Sequence, residues 1–331
     1  MEQLSNGLTL FFSLLVEAIP FLLIGVAFSS LLLFFVDERT LIKFLPKTPL
    51  MGAIAGSLMG VFFPVCECGN VPVARRLIVQ GAPSSVAVGF LLAAPTINPV
   101  VFWATWVAFR DQPEIVFLRV IFTLVIAVTI AWVFSRQPDM RPILHPAVAR
   151  QMPKLHKSEP VNPLLRSGTF LLQTDGSTLQ LDDPAAIFTK APAQPFAVKI
   201  QLVIDNMVQE LKELGAVLIL GSAIAAFVQV AVPRDWILTL GQNFITSILA
   251  MMLLAAVVSI CSTVDSFFAL SFASTFTTGA QLAFLVFGPM IDLKNIGLLM
   301  TLFKPRAIIY IFILAAQMCF ILTLFMNLYV S

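Results

Sequence analysis

In the stretch FFPVCECGNVPVARR (62–76), Cys66, Glu67 and Cys68 stand in consecutive positions, and Asn70 follows after one glycine. A second stretch, CSTVD (261–265), offers Cys261, Ser262, Thr263 and Asp265. Thiolates bind soft metals and metalloids, whereas carboxylates and hydroxyls suit harder ions. Cys66, Glu67, Cys68, Cys261 and Asp265 are therefore candidate metal ligands. Asn70, Asn98, Ser262 and Asp292 are candidates to line a substrate site with them. The other reading of the cysteines is that they are small residues at tight helix contacts, and Cys319, with only Gln317 as a polar neighbour, fits that reading. Carboxylates inside a bilayer are costly and usually functional, so Glu67 and Asp265 are the sharper signals.

These residues are embedded in apolar sequence. The chain has 331 residues, 59% hydrophobic and 11% charged, less than half the charge usual for a soluble domain. Apolar runs recur at Leu8–Phe35, Leu50–Val65, Ala82–Phe109, Val120–Phe134, Leu214–Val232, Trp236–Ile260, Leu282–Leu293 and Ala307–Val330. Several exceed the roughly 18–20 residues needed to cross a hydrocarbon core. The fold class expected is an all-α polytopic membrane protein, because a lipid-exposed backbone must satisfy its own hydrogen bonds. The first run is too long for a signal-peptide core and reads as a retained span. A net charge of +2 gives no reason to expect a nucleic-acid partner. No GxxxxGK[ST] sequence for ATP occurs, and no cofactor is implied.

The chain carries an internal repeat. Glu17 and Gly25 match Glu213 and Gly221 at an offset of 196, Cys66 and Asn70 match Cys261 and Asp265 at 195, and Pro95 and Asn98 match Pro289 and Asp292 at 194. Prolines and glycines in CECGN, APTINP (94–99) and GPMIDL (288–293) predict broken or re-entrant helices, with a turn at CECGN and Thr96, Asn98 and Asp292 at the same level. Leu50–Val65, about 24 Å as a helix, and Val71–Gln80 read as a re-entrant hairpin, with two tilted full spans as the competing reading.

Lys and Arg placement supplies the orientation. Nine of the twenty fall between Arg136 and Lys212, which puts that segment on the cytoplasmic side. Lys294, Lys304 and Arg306 join it, whereas Arg110, Arg119 and Arg234 fall outside, as do both termini. The two copies are then inverted, a common construction of secondary transporters. Three parts are expected: a first membrane repeat (1–134), a proline-rich cytoplasmic linker (135–200), and a second repeat (201–331) opened by an amphipathic helix. Within the linker, 169–182 alternates around Asp-Gly as a β-hairpin. From Phe196 to Leu214 an apolar face reads as an amphipathic helix lying on the membrane.

PVCECGNVPVARRLIVQGAP with FLLAAPTINPVV resembles the bacterial predicted-permease family that includes the YraQ group and the ArsP-type organoarsenical efflux permeases. CSTVDSF and FGPMIDLKN look like that family's second copy. The resemblance covers 1–134 and 200–331. It implies a permease of the cytoplasmic membrane, not an enzyme, and for the ArsP branch it implies export of trivalent organoarsenicals through cysteine thiols. Glu67 departs from the family's pattern, where serine commonly stands, and points toward a divalent metal such as zinc as an alternative cargo. A membrane thiol oxidoreductase using Cys66 and Cys68, or a scaffold or sensor, is a rival of another class. The partners expected are a small inorganic or organometalloid substrate, the lipid bilayer, an accessory metal-handling protein, and further copies of the chain.

Overall fold

A computed structural model of the chain describes residues 2–35, 46, 48–62, 67–137, 140–152, 170–172, 178–180, 196–231, 243–273 and 276–329. Cys66 and the side chains of Glu17 and Glu213 lie outside the described residues. The described chain is almost entirely helical. The first half runs α1 (Glu2–Phe35), α2 (Pro49–Met59, extended by a 3-10 turn at Gly60–Phe62), α3 (Glu67–Val79), α4 (Ser84–Ile97), α5 (Pro99–Ala108) and α6 (Pro113–Ser135). A short α7 (Pro146–Gln151) follows, then strands β1 (Phe170–Leu172) and β2 (Thr178–Gln180). The second half runs α8 (Phe196–Ala231), α9 (Phe244–Val258), α10 (Asp265–Leu270), α11 (Thr278–Met290), α12 (Leu293–Leu302) and α13 (Pro305–Tyr329).

The order of elements recurs: one very long helix, two short helices, a helix broken in the middle, and a closing span. Among the described residues, four stretches are long and apolar enough to cross a membrane: Ser84–Ala108, Pro113–Ser135, Thr278–Leu302 and Pro305–Tyr329. Two of these contain a break. By contrast α2, α3, α9 and α10 have 11, 13, 15 and 6 residues. At 1.5 Å per residue, each is shorter than the roughly 30 Å of a hydrocarbon core.

Close backbone approach holds the first half together. Gly52, Gly56 and Gly60 of α2 lie four residues apart and face α4. A Cβ at Gly56 would overlap the Val86 carbonyl, and one at Gly60 would overlap the Ala94 backbone. Small residues at this spacing let helices pack where water supplies no hydrophobic drive. Between the halves, α1 runs along α8, α4 meets α11, and α6 meets α13. The short helices cross over: α3 packs on α12, and α10 packs on α5.

The structure changes the expected boundaries in three places. Cysteine-motif residues Glu67, Cys68, Gly69 and Asn70 are helical, the first described residues of α3, so no turn lies within 67–70. A carboxylate favours a helix N-terminus, where it opposes the positive end of the dipole. The amphipathic segment from Phe196 is not a separate helix; it continues unbroken to Ala231, and Gly215 does not interrupt it. The early part of the linker is packed. His145 N–H donates to the Leu302 carbonyl (2.9 Å), and Lys304 N–H donates to the Ile143 carbonyl (2.8 Å). Lys304 Nζ adds a bond to the Pro142 carbonyl at 2.7 Å, while α7 rests on α3. This strap ties the end of the first half to the α12–α13 turn. Farther on, β1 and β2 pair antiparallel, with Phe170 opposite Gln180 and Leu172 opposite Thr178; residues 173–177 between them lie outside the described residues.

Candidate substrate site at the helix breaks

Both broken helices are interrupted by the same local chemistry. Pro95 and Pro289 lie in the last turn before the break, and neither can donate to the carbonyl four residues earlier. Asn98 then adopts an extended conformation, and its Oδ1 accepts from Val101 N–H at 2.9 Å, capping α5. Asp292 caps α12 in the same way, its Oδ1 accepting from Asn295 N–H. Each second segment has 10 residues, about 15 Å. The breaks therefore sit about half a hydrocarbon thickness from the turns that follow.

Asn70 repairs the first break from outside. Its Nδ2 donates to the Leu91 carbonyl at 2.7 Å, the acceptor that Pro95 leaves without a helical donor. In the second half the matching residue is Asp265, which cannot donate. It turns instead to Arg119 of α6, with Nη2 to Oδ2 at 2.7 Å and both side chains buried. Arg119 Nη1 also donates to Thr105 (2.7 Å) and Ser266 (2.8 Å), and Nη2 reaches the Ser262 carbonyl at 3.4 Å. Ser266 completes the ring by donating to Asp265 Oδ1 at 3.2 Å.

A second buried ion pair joins the halves the other way. Lys294 Nζ of α12 lies 3.7 Å from Glu67 Oε1 of α3, and both side chains are at most 2% exposed. Asp292 interacts electrostatically with both of them. Neither Glu67 oxygen makes a hydrogen bond, and neither does Asp292 Oδ2. Arg119 and Lys294 thus leave the count of surface positive charges. They neutralise buried carboxylates and carry no information about sidedness.

The thiols are less gathered. Cys68 and Cys261 are free and buried, and Thr263 Oγ1 donates to Cys261 Sγ at 3.6 Å. Cys319 Sγ donates weakly to the Ala283 carbonyl at 3.8 Å, which fits a packing role. Among the described residues, no three of His, Cys, Asp and Glu form a metal-binding group. Sequence reasoning named Glu67, Asn70, Asn98, Ser262, Asp265 and Asp292 but missed Arg119 and Lys294. The signal for Arg119 was its depth, six residues inside an apolar 23-residue helix. An arginine there needs a partner.

Membrane-spanning helices broken at mid-depth, with acids and their cations buried at the breaks, define a polytopic permease. The chain belongs to the predicted permease family ArsP_1, which it matches over residues 3–328. It is 38% identical over 298 residues to the "UPF0718 protein YcgR" of Bacillus subtilis (strain 168), an alignment covering 90% of this chain and 89% of that protein. It is 31% identical over 302 residues to a Streptococcus mutans serotype c protein named "Putative two-component membrane permease complex subunit", covering 91% and 88%. No solved structure matches the chain.

Proposed function

We propose that this permease is a secondary transporter that exports a thiophilic metal or metalloid species, such as a trivalent organoarsenical, by alternating access between two inverted halves. One observation carries the reading: α3 packs on α12 and α10 packs on α5, so polar residues near each break meet residues of the opposite half. A site divided in this way opens to one side or the other as the halves rock. Cys68 and Cys261 occupy corresponding short segments on either side of it, and Cys66 adjoins Cys68 in sequence. Glu67 in place of the family's serine favours a second cargo, a divalent transition metal bound by thiol and carboxylate together. The relative named as a complex subunit supports an accessory partner for this chain as well.

The test is a thermal-shift screen of purified protein against Zn2+, arsenite and methylated arsenicals, since a selective ligand stabilises the folded state by mass action. The shift should vanish when Cys66, Cys68 and Cys261 are all replaced by serine and persist in Cys319→Ser. An unchanged shift in the triple variant rejects thiol ligation. Epitopes at Ser158 and after Ser331 should be reached from opposite faces of the membrane; finding both on one face rejects the inverted arrangement.

A further inference from the structure

In the second half, SICSTV (259–264) joins α9 to α10 without being helical. Helix α9 ends at a buried Ser259 in the left-handed conformation, φ 50° and ψ 41°. Among the described residues it is the one residue other than glycine with a positive φ. Such a conformation persists where the surroundings hold it, and it clusters at functional sites.

The loop satisfies its backbone partly from within. The Cys261 carbonyl accepts from Val264 N–H (2.9 Å) and Asp265 N–H (3.0 Å). The Ser262 carbonyl is met instead by Arg119 of the opposite half. Next to Cys261, the Ser262 hydroxyl is buried and makes no hydrogen bond, so this loop still lacks a polar partner.

Arg119 is itself fixed from its own half. Thr105 Oγ1 donates to the Val101 carbonyl at 2.7 Å and accepts from Arg119 Nη1. The guanidinium's other contacts, to Ser262, Asp265 and Ser266, all fall within five residues that directly follow Cys261. One planar group anchored in the first half therefore grips the second-half loop at three points. A lysine would keep the charge but not the fork.

We infer that Arg119 is a positioning residue for the Cys261 thiol: it holds the 259–265 loop against the first half and so fixes where the thiol meets its cargo. Because the fork spans the halves, rocking that draws α10 away from α6 frees the loop, and the hold on cargo weakens as the site opens. The inference rests on the reading of Cys261 as a cargo ligand, and it assigns Asp265 to the clamp.

The experiment uses the full chain in lipid nanodiscs with Cys66 and Cys68 replaced by serine, which leaves Cys261 and Cys319 as the two thiols. Both are buried, so their alkylation by N-ethylmaleimide, followed at each site by mass spectrometry, reports local opening. Arg119→Lys should speed alkylation of Cys261 roughly tenfold, while Cys319 on α13 stays within about twofold of its original rate. Equal acceleration at both thiols is general loosening, and acceleration at neither means that the loop is held without the fork; either result overturns the inference. Ser266→Ala removes one contact of the fork and keeps the ion pair. It should act in the same direction, and it is judged by the same ratio if Arg119→Lys does not fold. With all native cysteines present, Arg119→Lys should raise the half-saturation concentration of Zn2+ or arsenite in thermal-shift titrations roughly tenfold. An unchanged half-saturation overturns the inference and leaves the transporter reading standing. No shift in wild type with either probe overturns the thiol cargo instead, and the alkylation ratio still decides whether Arg119 holds Cys261.

Discussion

Replacing Arg119 by leucine should destabilise this protein more than replacing almost any lipid-facing residue. The pair with Asp265 is 2.7 Å apart, with side chains 1% and 4% exposed. At an effective dielectric constant near 20, the direct attraction is about 6 kcal/mol. Desolvation of both ions offsets much of it, so the intact pair contributes little net stability. Removing one ion is different, because Asp265 keeps its burial and loses its partner, at a cost of about 3–5 kcal/mol. At about 2 °C per kcal/mol for a chain of this size, the unfolding temperature should fall by roughly 6–10 °C. Asp265→Asn should cost a comparable amount, since it strands the guanidinium. The double variant removes both charges and should recover most of the loss, giving a coupling energy above about 2 kcal/mol. Thermal unfolding of the four proteins in nanodiscs, followed by tryptophan fluorescence, measures the cycle. Single variants within about 2 °C of wild type, or a double variant equal to the sum of the singles, would refute the reasoning.

Asn70→Ala should lower stability by about 1–3 kcal/mol, because the buried Leu91 carbonyl loses the donor that Pro95 cannot supply; an unchanged unfolding temperature would place another donor there. Gly56→Val should prevent α2 from seating on α4, since its side chain would enter the Val86 backbone. Size-exclusion profiles and yield of folded protein check this, with Gly215→Ala as the tolerated control at a site that has nothing within 4 Å.

The helix breaks were legible in the sequence because their causes are local. A proline deletes one donor, and an Asn or Asp three residues later caps the next segment, so APTINP and GPMIDL announce Asn98 and Asp292 without any tertiary information. The start of α3 was less legible. Gly69 and Pro72 suggested a turn within CECGN, but both are accommodated inside α3. The buried ion pairs were legible only as a need: the depth of Arg119 in α6 calls for a partner without saying which. Lys294 and Arg119 look like interfacial charges until α12 is packed on α3, and until Asp265 is brought to α6 from nearly 150 residues away. Pairing across that separation is a property of the packed chain, and positive-inside counting takes every basic residue as facing water. The strap at 140–152 was hidden for a similar reason, because its partners, Leu302 and Lys304, belong to the other half.

The cross-over of the two ion pairs also bears on how the two halves recognise each other. The first half contributes one acid, Glu67, and one base, Arg119, and each finds its partner only in the second half. Two identical first halves assembled together would set Glu67 against Val100 and Arg119 against Asn70, leaving a carboxylate and a guanidinium stranded in each copy. Two identical second halves would strand Lys294 opposite Ser262, and would leave Asp265 against α13, whose one basic residue is Arg306 in its first turn. The two halves expressed as separate polypeptides would remain complementary. The buried charges thereby act as a specificity code that fixes which half recognises which.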